Sequence, residues 1–312
     1  MANVPVLDVT RVKNLIKILI DFGRTNLLIS ELKRDDIEYI LDLGTDVLNK
    51  DESLICLQGP VMICGGLFGD LRNFLNLLDT AGMPPKTTYV VLGDIVNKGK
   101  NSIEVVCLLY CFKVLYPNKH FILRGEQEST DRVRKGGFKT EVKYRFDGDL
   151  YKKFVTSFSY LPLAAVIADK VLACHGGINS KVRTIDSIRS LERPLKSLNG
   201  AAAGVVLGVP INKVGASYVE DEVHEYDAGA VFQFLEANKL NLICRTQWAP
   251  AGYKYMDNRT VLNVISTRNF CGKNNPAAMV KIDKFGQLDI ILCGDDIEPE
   301  KTTHVPKGRR TE

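Results

Sequence analysis

Long apolar runs are missing from this sequence of 312 residues. No stretch approaches the roughly 20 residues that a membrane helix needs. The nearest, 161–174, is broken by Asp169 and Lys170. Residues 1–13 lack a basic segment followed by an apolar one, so no secretory leader is expected. A dominant charge is also missing. Lys and Arg number 41 against 37 Asp and Glu, a net of +4. Over this length that is too little to make nucleic acid or an anionic membrane an expected partner. The eight cysteines, at 56, 64, 107, 111, 174, 244, 271 and 293, include no CxxC pair. A thiolate zinc site is therefore not expected. Most sit in apolar runs and read as buried free thiols, which places the chain inside the cell, in cytoplasm and/or nucleus. Histidine is scarce, at four residues, and the single tryptophan, Trp248, reads as packing.

What is present is periodic. Val12, Leu15, Ile16 and Leu19 recur at helical spacing, and a second helix is expected from Ser30 with Ile37, Ile40, Leu41 and Leu48 inward. The first 55 residues thus read as helical. From Val61 short apolar runs alternate with helices: strands at 61–64, 89–92 and 121–123, helices at 70–78 and 102–115. Two strand–loop–helix units in series predict an α/β core. Further strands are expected at 163–168, 171–174, 242–244, 261–265, 279–282 and 288–292, with a helix over 228–238. The segment 200–209 has no clear periodicity. Cys107 and Cys111, spaced i, i+4 on a helix, read as core. The domain is expected to span 1–294, followed by a polar tail over 295–312.

Loops that follow core strands are the usual seats of chemistry in α/β proteins. Here they read Gly65-Gly66-Leu67-Phe68-Gly69, Gly93-Asp94-Ile95-Val96-Asn97-Lys98-Gly99 and Gly125-Glu126-Gln127-Glu128. Later strand ends add Cys174-His175-Gly176-Gly177, Arg245-Thr246-Gln247-Trp248 and the run from Ser266 to Gly272.

With these motifs, and with Gly82-Met83-Pro84-Pro85 and the segments 101–117, 188–194, 240–245 and 269–272, the chain resembles the serine/threonine protein phosphatases of the metallophosphoesterase family. The likeness runs from about Leu28 to Leu292 and is strongest to the protein phosphatase 1 branch. It implies an α/β fold: a central β-sandwich flanked by helices, with an N-terminal helical segment. It also implies two-metal hydrolysis, in which a shared hydroxide attacks phosphorus while arginines hold the phosphate and a histidine protonates the leaving group.

The family's ligand motifs, GDxHG, GDxxDRG, GNHE, HGG and a late histidine after an arginine, are altered here. In the first, Gly66 and Phe68 stand where an aspartate and a histidine ligand are expected. In the second, Asp94 keeps the bridging position, Asn97 replaces the aspartate that supports the catalytic histidine, and Lys98 replaces a phosphate-binding arginine. In the third, Glu126 replaces an asparagine ligand and Gln127 the general acid. His175 is kept, Gln247 stands for the late histidine, and Phe270 for a tyrosine. A further phosphate-binding arginine, expected near Glu220, is missing.

One metal position would rest on Asp94 alone. The other, built of Asp94, Glu126, His175 and Gln247, would suit Mn²⁺ or Mg²⁺ better than zinc. The expectation is no cofactor, or one weakly held Mn or Mg ion. The other reading is that Asp94 and His175 persist as hydrogen-bonding groups of the loop floor. Gln127 cannot act as a general acid, because an amide does not titrate near neutral pH. The expected role is therefore an inactive or strongly impaired phosphatase relative that binds or scaffolds regulatory proteins. The alternative is a metal-dependent phosphatase with a degenerate one-metal site. A phosphopeptide-binding module is a third reading, disfavoured by the acidic residues around the site. By resemblance, partners would add a peptide strand to a hydrophobic groove at Leu242, Tyr255, Arg259, Leu262 and Ile290, where Gly286 and Gln287 replace larger apolar groups.

Overall fold

A computed structural model describes residues 4–25, 31–211 and 224–293. Two N-terminal helices, α1 (Val9–Gly23) and α2 (Arg34–Lys50), precede the first strand. Asp8 caps α1 by accepting from the Arg11 N–H. Helix α2 starts at Arg34, not at the expected Ser30, and its N-cap Lys33 has no side-chain oxygen to offer. Ser30 itself lies outside the described residues, as does the tail over 295–312.

The chain then runs β1 (Leu54–Leu57), β2 (Val61–Cys64), α3 (Leu71–Ala81), β3 (Tyr89–Val91), α4 (Ser102–Leu115) and β4 (His120–Ile122). Three helices follow: α5 (Thr130–Lys135), α6 (Gly137–Arg145) and α7 (Gly148–Phe158). Next come β5 (Ala164–Ile167), β6 (Val171–Cys174), α8 (Ile185–Arg189), α9 (Gly200–Leu207), the short β7 (Val209–Pro210) and β8 (Glu225–Tyr226), and α10 (Ala228–Asn238). The chain closes with β9 (Leu242–Thr246), β10 (Tyr253–Met256), β11 (Val261–Val264), β12 (Ala277–Ile282) and β13 (Leu288–Cys293).

Among the described residues two large sheets form, ordered β1-β5-β6-β9-β11-β10 and β13-β12-β2-β3-β4. The β2, β3 and β4 pairs are parallel, as are β6 with β9 and β9 with β11. Side chains alternate across each strand, so each sheet feeds two cores. Val61, Ile63, Val90, Leu92, Ala165, Ile167, Cys244 and Leu262 meet between the sheets. Met62, Cys64, Tyr89 and Val91 point outward into a second core closed by α1–α7. Leu54, Ala164, Leu172 and Ile243 point the other way, under α8–α10. Burial on both faces is why these strands read as unbroken apolar runs. The expected sandwich flanked by helices is what the chain forms.

Several expectations needed correction. The helical N-terminal segment ends before Leu54, which opens β1. The segment 200–209, left without assignment, holds α9 and the start of β7. Cys56 and Cys271 are exposed rather than buried, and the other six cysteines are buried free thiols. Trp248 is 38% exposed and carries the Lys273 ammonium 4.4 Å from its ring centroid. It is a surface aromatic, not core packing. Among the described residues no helix is long and apolar enough to cross a membrane.

Candidate active site

The loops that sequence motifs singled out gather at one end of the sandwich, beyond the C-terminal ends of β2, β3, β4, β6, β9 and β11. The turn after β3 is tight. Gly93 has φ +85°, and a Cβ there would sit 2.2 Å from the Gly125 nitrogen. Phe68, Asp94, Asn97 and Lys98 all adopt left-handed backbone, with φ between +48° and +67°. Such conformations cost of order 1–3 kcal/mol each for side chains of this kind and concentrate at functional sites. Glu128 supports the loop from beneath. Its buried carboxylate accepts N–H bonds from Asp94 and Gly125 on one oxygen, and from Ile95 and Val96 on the other. Sequence reasoning quoted Glu128 and gave it no role; in the polar run from Arg124 to Arg132 nothing set it apart.

Asp94 and His175 meet at the floor. His175 Nδ1 lies 2.8 Å from the Leu92 carbonyl, which can only accept, so Nδ1 carries the proton. Nε2 then presents its lone pair to Asp94 Oδ1, 3.4 Å away. That oxygen also accepts the Gln127 N–H at 2.8 Å. Burial pushes the Asp94 carboxyl up to about 7, with the Gln127 N–H opposing it and Glu126 adding to it. Burial also raises Glu128 to about 7, aided by Asp94. His175 shifts down, again through burial first.

Where the resemblance implies a general-acid pair, two amides bond to each other. Asn97 Nδ2 donates to Gln127 Oε1 at 3.1 Å, and Asn97 Oδ1 accepts the Phe138 N–H at 2.9 Å. Neither amide exchanges a proton near neutrality. Lys98 is exposed.

Where the resemblance implies a first metal ion, the side chains are hydrocarbon. The Phe68 ring stacks on Phe270, with centroids 4.4 Å apart. It also lies over Gly66, where a Cβ would meet Phe68 Cε2 at 2.5 Å and Asp94 Cβ at 3.2 Å. The Gly66 peptide is clamped between Thr246 Oγ1, which accepts its N–H, and Thr267 Oγ1, which donates to its carbonyl. A donor set of Gly66, Phe68 and Asp94 does not fit a metal ion.

Of the four residues that the resemblance offers for a second ion, only two stand side by side. Asp94 and His175 are together. Glu126 is ion-paired with Arg132 at 2.6 Å. The exposed Gln247 turns its amide oxygen to the Arg245 guanidinium, 2.7 Å away. Arg245 is buried and also donates to Asn263 and to the Gly208 and Gly176 carbonyls. Among the described residues no three His, Cys, Asp or Glu side chains stand close enough to hold a metal ion together. The residues present therefore do not fit a two-ion centre. Sequence reasoning missed Arg132, and quoted Arg245 without giving it a partner. Glu220, near which a further phosphate-binding arginine was expected, lies outside the described residues.

The groove residues lie away from this floor. Leu242, Tyr255 and Arg259 line a small cleft of about 30 Å³ with Val171, Asn241, Gly286 and Leu288. The Arg259 guanidinium covers the Tyr255 ring at 4.0 Å. Leu262 is fully buried beneath, and Ile290 is half-buried on β13. β13 pairs only with β12, so its outer ladder is open among the described residues.

Comparison with known proteins agrees with this architecture. The calcineurin-like phosphoesterase family matches residues 59–299. The chain belongs to that family. The fold is similar to that of a serine/threonine phosphatase from Saccharomyces cerevisiae, described as similar to human phosphatase PP5. That likeness has a TM-score of 0.82 and 24% identity, covering 96% of this chain and 99% of the other. A cold-active protein-tyrosine phosphatase from a psychrophilic Shewanella is more distant, with a TM-score of 0.56 and 15% identity over 80% of this chain and 84% of its own.

Proposed function

We propose that this chain is a pseudophosphatase of the protein phosphatase 1 type: a single domain over 1–294 that binds regulatory or scaffold proteins and does not turn over phosphoesters. The reading is carried by the Phe68 ring, packed over Gly66 and against Phe270 in the position of the first metal ion. The Asn97–Gln127 amide pair and the engagement of Glu126 and Gln247 by arginines support it further. With no bridging hydroxide and no proton donor, two contributions of about 10²–10⁴ each in rate are missing. The free cysteines fit a reducing compartment, cytoplasm or nucleus.

Partners would dock by adding an extended peptide to β13, with apolar anchors over Leu242, Tyr255 and Ile290. Main-chain bonds supply affinity and side-chain pockets supply specificity in this mode. Fluorescence anisotropy with a labelled peptide carrying a valine and a phenylalanine anchor tests it. Binding is expected at micromolar concentration and at least tenfold weaker in Tyr255→Ala. No binding at millimolar peptide contradicts the groove.

One observation favours a second reading, a degenerate one-metal phosphatase. His175 holds the tautomer of a metal ligand, with Nδ1 fixed by the Leu92 carbonyl and Nε2 turned to Asp94. It would require Glu126 and Gln247 to leave their arginines.

A further inference from the structure

A cavity of about 460 Å³ opens at the far end of the β13-β12-β2-β3-β4 sheet. Its walls are Gln58, Gly59 and Pro60 of the β1–β2 turn, the start of β2, the end of α3, the 86–88 segment before β3, Lys119 before β4, and single residues of β12 and β13. The parallel strands β2, β3 and β4 begin here and end at the Asp94 loops, so the sheet separates the two sites.

Three lysines, Lys86, Lys119 and Lys281, line this cavity, and no carboxylate does. None of the three makes an ion pair with another described residue. Nearby carboxylates are engaged elsewhere. Asp79 pairs with Arg24 at 2.9 Å, and Asp283 accepts the N–H groups of Phe285 and Gln287. Asp289 stands opposite Lys281 in the β12–β13 register but does not line the cavity. Thr88 adds a hydroxyl, the Thr80 and Thr87 hydroxyls already donate to the Asn76 and Ala81 carbonyls, and Met62 and Ile291 form an apolar wall.

The lining thus carries three positive charges and no carboxylate of its own, and a bound anion would balance them. Lysine acts as a point-charge partner for phosphate. The volume lies in the range of small-molecule sites, which combine an apolar wall with a few polar groups. We propose that this cavity binds a small polyphosphate anion of nucleoside-diphosphate size, its phosphates on Lys86, Lys119 and Lys281 and its organic part against Met62 and Ile291.

Calorimetric titration of the full chain with ADP and with inorganic pyrophosphate, at low salt, tests the proposal. Both are expected to bind, ADP more tightly, and both to weaken as salt screens the lysines. Lys119→Ala and Lys281→Ala are each expected to weaken binding by about tenfold. The Lys86→Ala/Lys119→Ala/Lys281→Ala variant is expected to lose it while melting at the wild-type temperature without ligand, since all three side chains are exposed. Failure of both probes to bind at millimolar concentration overturns the proposal. So does wild-type affinity in the triple variant, which would put the anion elsewhere, in the cleft beside Asp94.

Discussion

If the Phe68 ring fills the first metal position, Gly66 and Phe68 must be energetically coupled, and a double-mutant cycle measures that coupling. Gly66→Ala adds one methyl group, whose carbon would lie 2.5 Å from Phe68 Cε2 and 2.9 Å from Cζ. Both distances are shorter than real Cβ contacts, so the ring must shift. Gly66 is not in left-handed backbone, so alanine brings no conformational strain of its own. Overpacking of this kind costs about 1–3 kcal/mol. Phe68→Ala removes a ring that is 8% exposed and stacked on Phe270, at a cost of up to about 3–5 kcal/mol. In the Phe68→Ala background the added methyl group has room, and its penalty should fall below about 0.5 kcal/mol. The smaller entropy of the unfolded alanine chain is common to both arms and cancels. Urea unfolding of the four proteins, with m-values compared, should give a coupling of at least about 1 kcal/mol. Additivity within about 0.5 kcal/mol would refute the claim that the ring occupies this space.

Further outcomes follow from the same geometry. His120 is fully buried between Tyr89 and Phe112 with neither ring nitrogen hydrogen-bonded, and burial depresses its pKa to about 3. His120→Phe should stabilise the fold by about 1–3 kcal/mol near neutral pH. The wild-type imidazole is depressed below its unfolded value of 6.5, so its contribution is whole above pH ~6.5 and is lost as pH falls toward 3. The advantage of the variant should therefore widen by about 2 kcal/mol between pH ~7 and ~5 in urea melts; an unchanged gap would count against a buried neutral histidine. Native maleimide labelling followed by mass spectrometry should modify Cys56 and Cys271 quickly and leave the six buried thiols for the unfolded chain.

Legibility in the sequence tracked burial pattern. β2, β3, β6 and β9 are covered on both faces, and their apolar runs announced them. Helix α6 was missed because only Phe138 and Val142 face inward, too few to set a period. Helix α9 was missed for the opposite reason. Gly200–Leu207 is apolar nearly all round, so it has no polar face to mark a helical stripe. β10 is a sheet edge with no buried side chain, and its two tyrosines did not separate it from loop. At the site, residue identities were enough to see that donors at 66 and 68 are missing. They could not show that the Phe68 ring packs over Gly66, because that contact depends on a backbone with φ +48° at Phe68 and on Phe270 arriving some 200 residues later. Nor could they show that Arg132 and Arg245 hold Glu126 and Gln247. The groove residues, spread from 242 to 290, come together only through the β9–β11–β10 ladder and the neighbouring β13.

The most direct test of the central claim is hydrolysis of a small aryl phosphate by the purified protein with added Mn²⁺, run beside His175→Ala. The account predicts no turnover above that variant. Manganese-dependent hydrolysis that disappears on His175→Ala would contradict it, and would mean that Asp94, Glu126, His175 and Gln247 assemble into a working site.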